Sequence, residues 1–212
     1  THVSLATLTT GAMPSTHGVI GSRWVDYTTN RIVGLTAGRQ GPGAYNLIAP
    51  TLSETLLRHA PGSRSVTVAA EAVSAVVMAG RAGEVFWLDS ARCDWVTSPY
   101  YAPAVPEWID RSNRERYNLS YISTEWRTLL ERGRYLNTRN HDIALAGKNR
   151  KEQDLNGSGR LKLTSDFERL LYTPAGNTAV LGLAKQAIAQ YKLGDDKVPD
   201  LLNICLDAPR RI

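Results

Sequence analysis

Cysteine is nearly absent: the 212-residue chain has two, Cys93 and Cys205. They lie far apart and make no Cys-x-x-Cys pair, which excludes a structural metal site built on thiolates. One disulfide between them is left open, although Cys205 sits in an apolar run where a buried thiol is the ordinary state. Histidine is almost as scarce. His2, His17, His59 and His141 make no His-x-x-x-His and no Asp-x-x-x-His pair, so those spacings assemble no two-metal hydrolase site. A Ser-His-Asp triad stays open, without the Gly-x-Ser-x-Gly elbow that would mark it. No apolar run reaches membrane-spanning length, so no membrane span is expected. Lys and Arg number 25 against 20 Asp and Glu, a net charge of +5, yet they form no basic run interleaved with aromatics. Nucleic acid is therefore not the expected partner, and the basic balance reads as a solvated surface that favours anionic substrates.

What is present is ordinary globular composition, 42% hydrophobic and 21% charged, which argues against disorder. Leu5 to Leu8 reads as the start of a short helix halted by Gly11 and Pro14, with a loop through Ser22. Trp24 to Val33 reads as a strand pair turning at Thr29-Asn30. Thr51 to His59 reads as a helix with Leu52, Leu56 and Leu57 on its apolar face, stopped by Pro61-Gly62. Ser65 to Val68 and Glu84 to Leu88 read as strands, and the small-residue run Ala72 to Ala79 between them fits strand or helix. Trp95 to Tyr101 reads as the edge of a strand running into a loop, and a helix begins at Pro106 and runs through Asn113.

Residues 114–159 are the most polar part, with a helix expected over Trp126 to Glu131 and a solvent-exposed insertion near 141–160. Asn177 to Leu193 places Val180, Leu183, Ala184, Ala187, Ile188 and Tyr191 on one helical face before Gly194. Asp200 to Leu206 then reads as a buried strand. Strands alternating with helices predict a single α/β domain over residues 1–212 with a largely parallel sheet.

Candidate chemistry centres on the beginning of the chain. A hydroxyl such as that of Thr1 needs an activating base or metal, and His2 points elsewhere by simple geometry of adjacent side chains. His17, in Pro-Ser-Thr-His-Gly, reads as a loop-bracing imidazole. The glycine-rich stretch Gly38 to Ala44 lacks the Lys-Ser/Thr of a phosphate-gripping loop and reads as a plain connection.

Several segments together resemble the alkaline phosphatase superfamily, in its branch of type I phosphodiesterases, nucleotide pyrophosphatases and related bacterial alkaline phosphatases. They are Thr10-Gly-Ala-Met-Pro-Ser-Thr-His-Gly-Val-Ile-Gly21, Ser65-Val-Thr-Val68, Phe86-Trp-Leu-Asp89, Ser98-Pro-Tyr-Tyr101, Pro106-Glu-Trp108, Thr173-Pro-Ala-Gly-Asn177 and Leu193-Gly-Asp195. Their order and approximate spacing hold across nearly the whole chain. The resemblance implies an α/β/α sandwich in which two zinc ions clamp a phosphate ester against a Ser or Thr nucleophile. It also implies a periplasmic or secreted setting. The family nucleophile, which also binds metal, falls on Thr1. The position where the family has a phosphate-binding Asn is Ser22.

Three departures accompany it. Where monoesterase-like members carry Lys-x-Arg after the Ser-Val-Ser strand, this chain has Ala69 and Glu71. The strand ending in Leu206 leads to Asp207 without the His of an Asp-x-x-Gly-His ligand motif, leaving Asp207 as a displaced metal ligand. The family's other ligands fall outside residues 1–212, so this stretch alone is expected to be inactive. The expected function is hydrolysis of a small phosphate ester, a diester before a monoester. The alternative is a catalytically degenerate member that acts in binding or envelope assembly.

Overall fold

The computed structural model describes residues 1–116, 125–127, 160–162, 171 and 174–207. Its first layer begins with α1 (His2–Thr10), capped by the Thr1 side chain and closed by Gly11 in the left-handed region. Pro14 does not simply end a helix, as the sequence suggested: it opens a second one, α2 (Pro14–His17). A proline at the first helical position gives up an N–H that had no partner there and supplies a helical φ. The expected hairpin follows as β1 (Arg23–Asp26) and β2 (Arg31–Gly34). The Asp26 carboxylate accepts from Thr28 N and Thr29 Oγ1, and Asn30 takes the positive φ that the turn needs.

Helix α3 (Leu52–His59) starts with a reciprocal capping box between Thr51 and Glu54. Its inward face differs from the expected one. Leu52 is 59% exposed, whereas Thr51, Ser53 and Glu54 are buried. Polar contacts hold this helix down: Thr51 Oγ1 donates to Ala79 O, and Asn203 Nδ2 donates to Ser53 Oγ.

The central sheet has the order β5 (Trp95–Val96), β4 (Glu84–Leu88), β3 (Ser65–Ala69), β8 (Leu201–Cys205). Strand β3 runs parallel to both β4 and β8, and β5 is antiparallel to β4. All five β3 residues are buried, because helices cover both faces of a parallel sheet. On one face Val66, Val68, Phe86 and Leu88 pack with α5 (Glu107–Arg114) and α6 (Pro174–Tyr191) through Ile109, Val180, Leu183, Ala184 and Ala187. On the other, Ala69, Val85 and Trp87 meet α4 (Ala72–Ala79) through Ala75 and Ala79, and α1 lies outside α4. This is the expected α/β/α sandwich with a mostly parallel sheet. The ambiguous run 72–79 is the helix α4, buried nearly all round, which is why it shows no amphipathic period.

Three further expectations change. Strand β8 is half-buried along its length and forms an edge among the described strands, so its apolar run does not mark a buried centre. Helix α6 starts at Pro174, ahead of Asn177, and leaves Ile188 44% exposed. In place of a helix beginning at Trp126, β6 (Glu125–Arg127) pairs antiparallel with β7 (Arg160–Lys162). A partner more than thirty residues away supplies that ladder, and no local period announces it. The rest of the expected 126–131 helix and of the 141–160 insertion lies outside the described residues. No disulfide joins Cys93 and Cys205.

Candidate active site

Parallel strands place their carboxyl ends together, and ligands of open α/β sheets bind at that edge. Here Ala70-Glu71 follows β3, Asp89-Ser90 follows β4 and Leu206-Asp207 follows β8. Thr1 arrives at the same edge at the head of α1. Its Oγ1 accepts from Ser4 N at 3.2 Å and lies 2.8 Å from Ser4 Oγ, and the residue is exposed. An N-cap hydroxyl in this position sits at the positive end of its helix.

The neighbouring His2 directs its imidazole to Glu71. His2 Nε2 lies 3.1 Å from Glu71 Oε1, with both side chains largely buried. Ser74 Oγ lies 3.2 Å from the same Glu71 oxygen and 2.8 Å from Asp207 Oδ1. One hydroxyl proton serves one carboxylate at a time, and the shorter contact goes to Asp207. Cys205 Sγ donates to Asp207 Oδ1 at 3.2 Å. Burial, and then the neighbouring Asp207 charge, pushes the Cys205 thiol up to about 12, so it stays protonated as a donor. The chain His2–Glu71–Ser74–Asp207–Cys205 therefore ties the head of α1 to the ends of β3 and β8.

Of the residues singled out in the sequence, this geometry gathers Glu71 and Asp207 beside the head of α1, where Thr1 stands. Ser22 lies apart at the foot of the β1–β2 hairpin, exposed, its carbonyl accepting from Leu35 N at 3.0 Å. Ser74 was not singled out. Its only sequence signal is the Glu71-x-x-Ser74 spacing at a helix start, which also suits an ordinary cap. His17 is the loop brace it was expected to be. It is fully buried, Nδ1 accepts from Val19 N at 3.0 Å, and Nε2 meets Thr7 Oγ1 at 3.1 Å. Thr7 Oγ1 gives its own proton to Val3 O, so the imidazole is neutral with its hydrogen on Nε2.

A cavity of about 390 Å³ opens at the ends of β3 and β4. Glu71, Asp89, Ser90, Trp87, Val96 and Leu171 line it, and the short side chains of Ala70 and Ala72 leave it room. Among the described residues that line it, none is Lys, Arg or His. Among the described residues, no group of three or more His, Cys, Asp or Glu is gathered to hold a metal ion. Asp207 Oδ1 is already engaged by two donors. The described residues therefore do not amount to the zinc site that the resemblance implied. No step below runs through one.

The profile of the family described as type I phosphodiesterase / nucleotide pyrophosphatase matches residues 1–202. The chain belongs to the type I phosphodiesterase / nucleotide pyrophosphatase family. Among curated members, it is 27% identical over 230 residues to the alkaline phosphatase PafA of Elizabethkingia meningoseptica, covering 97% of this chain and 41% of that protein. It is 27% identical over 234 residues to a protein of Myroides odoratus named calcium-transporting ATPase, covering 98% and 41%. The crystal structure of wild-type PafA superposes with a TM-score of 0.86 at 24% identity, over 100% of this chain and 44% of that one. This family member thus shares the PafA fold, and it spans about two fifths of the length of the curated relatives it matches. Among the described residues, no helix is long and apolar enough to cross a membrane.

Proposed function

We propose that the protein hydrolyses phosphate esters, with Thr1 as the attacking hydroxyl, in a periplasmic or secreted setting. The observation that carries this reading is the position of Thr1: exposed, at the head of α1, and one residue from the His2–Glu71 contact at the carboxyl edge of the sheet. In the step proposed, Thr1 Oγ attacks phosphorus, the P–O bond to the alcohol breaks, and the proton lost by the threonine hydroxyl is balanced by one gained at the departing alcohol oxygen. The phosphoryl group passes to threonine, and water later releases it. The Ser4 N–H and the positive end of α1 favour the threonine oxygen as it gains negative charge. Such helix-end effects are worth about 0.3–1 kcal/mol, far less than a full activation of the hydroxyl.

The charges around Thr1 bear on the substrate. Glu71, Asp89 and Asp207 end the three parallel strands, and each repels a phosphate dianion about twice as strongly as a monoanion. A diester, which carries one negative charge, is therefore the better substrate. Zinc and the phosphate-binding role of Ser22 stay parts of the proposal that this test addresses. A second reading, a degenerate member acting in binding or envelope assembly, is favoured by one observation. Glu71 occupies a position where the resemblance places a phosphate-holding cation, and it is fixed there by His2 and Ser74.

The test is zinc content together with hydrolysis of p-nitrophenyl phosphate and bis-p-nitrophenyl phosphate by the full-length protein, beside Thr1→Ala and Ser22→Ala. Thr1-dependent turnover, faster on the diester, is the expected result. Absence of turnover with no bound zinc supports the degenerate reading instead.

A further inference from the structure

The β1–β2 hairpin presents a strand edge and an apolar face to water. Within it Arg23 stands opposite Gly34, Trp24 opposite Val33, Val25 opposite Ile32 and Asp26 opposite Arg31. Leu35 N donates to Ser22 O, so the pair one step before Arg23 and Gly34 is hydrogen-bonded. Bonded and open pairs alternate along an antiparallel ladder. Trp24 and Asp26 therefore turn their backbone N–H and C=O toward β2, whereas Arg23 and Val25 turn theirs outward. Side chains alternate as well. Trp24 packs on Ala6, Val19 and Leu35, and on the opposite face Val25 is 43% and Ile32 66% exposed. Tyr27, the first residue of the turn, is 93% exposed. Edge strand β5 is treated differently: Asn113 Oδ1 accepts from Trp95 N, and Asn113 Nδ2 donates to Trp95 O. Among the described residues, β1 pairs with β2 alone. An open edge is a template for another strand, and a two-stranded ribbon is marginal in water by itself.

We propose that β1 pairs antiparallel with β1 of a second copy of this chain, about a two-fold axis at Val25. Each Val25 then donates its outward N–H to the carbonyl of the other. Since Ile32 stands opposite Val25 in each hairpin, Ile32, Val25, Val25 and Ile32 line up in one apolar row across four strands. Arg23, two residues before the axis, comes to the position of Tyr27 in the other copy, two residues after it, where a guanidinium meets a phenol ring favourably. The two Arg23 charges lie about 14 Å apart along the strands, beyond the ~8 Å screening length of physiological salt. A parallel arrangement would instead set Arg23 beside Arg23. The strand is thus complementary to its own reverse, which is the argument for a second copy as the occupant of this edge.

The test is analytical ultracentrifugation of the full-length protein over a concentration series. A short strand pair makes a small interface, so a dimer with a dissociation constant of roughly 1–100 µM is expected. Val25→Pro removes the central outward N–H but none of the hairpin's own bonds, and should weaken the dimer at least ~10-fold. Val25→Thr keeps that N–H and should stay within ~3-fold of the unaltered protein. Tyr27→Arg sets like charges opposite each other and should weaken the dimer by about 10-fold, whereas Tyr27→Glu sets opposite charges there and should stay within ~3-fold. If Val25→Pro loses native circular dichroism, the two Tyr27 variants, in an exposed turn, decide. A monomer at every concentration, as expected if another part of the full-length chain covers β1, overturns the proposal. So does a dimer that Tyr27→Arg and Tyr27→Glu weaken alike, or one that a natively folded Val25→Pro leaves unchanged.

Discussion

At the scale of single residues, His17 ties a motif to a physical task. Its Nδ1 can accept the Val19 N–H only while unprotonated, and burial holds its pKa below the ordinary 6.5. The unfolded imidazole binds a proton near 6.5 while the folded one resists it. Stability from this group is therefore complete above that pH and is lost as pH falls through and below it. Thermal melts at pH 7.5 and 5.5 should show a larger fall for the unaltered chain than for His17→Gln. Equal falls would remove His17 from the account. His17→Ala should cost about 2–4 kcal/mol at neutral pH in chemical denaturation, from two lost hydrogen bonds and the space left behind. The Pro-Ser-Thr-His-Gly run is legible in sequence because its parts are local. Pro14 starts a turn of helix, Gly18 ends it with φ 78°, and the histidine reaches back ten residues. The Ser74–Asp207 contact was not legible, since the two meet only when β3 and β8 are paired.

At the scale of elements, α3 and α4 are joined by a polar lock that hydrophobic pattern does not reveal. Thr51 and Glu54 form the capping box of α3. Thr51 Oγ1 reaches Ala79 O at the end of α4, and Arg81 Nη1 pairs with Glu54 Oε1 at 3.1 Å. Thr51→Ala should therefore cost more than an ordinary cap, about 2 kcal/mol by urea denaturation, because a carbonyl loses its donor as well. Gly80 closes the same lock. Its φ is +70°, and a Cβ there would stand 2.1 Å from Glu54 Oε2 and 2.7 Å from Thr51 Oγ1. Gly194 also has a positive φ, +77°, but nothing lies within 4 Å of a Cβ there. Gly194→Ala should cost only the backbone strain, about 1 kcal/mol. Gly80→Ala should cost at least ~3 kcal/mol, since the capping box must open as well. Similar losses at the two sites would show that the lock yields easily. The apolar leucines of α3 were read as its buried face because period speaks of hydrophobic contact, and this helix is seated by Thr51, Ser53 and Glu54 instead.

Across the whole molecule, the sheet joins segments that are distant in the chain, and the candidate site exists only through that joining. The strand–helix alternation that predicted a parallel α/β sheet is a local pattern and came through intact. Strand order and edges depend on pairing across more than a hundred residues, as between β3 and β8, and carry no such mark. Ser74 is where this long-range assembly can be tested. Its hydroxyl is the link between Glu71, which follows β3, and Asp207, which follows β8. Ser74→Ala leaves the buried Asp207 Oδ1 with Cys205 as its remaining contact of the two, and loss of a donor to a buried carboxylate costs about 1–3 kcal/mol. Strand β8 is the half-buried partner, whereas β3 is buried and paired on both sides. The loss should therefore open the end of β8 first. Hydrogen exchange in Ser74→Ala should speed up at Ile204 and Cys205 well before Val66 and Val68, with the melting temperature lowered only modestly. An acceleration spread evenly over β3, β4 and β8 would mean that Ser74 supports the core as a whole, and the carboxylate link would lose its place in the assembly of the site.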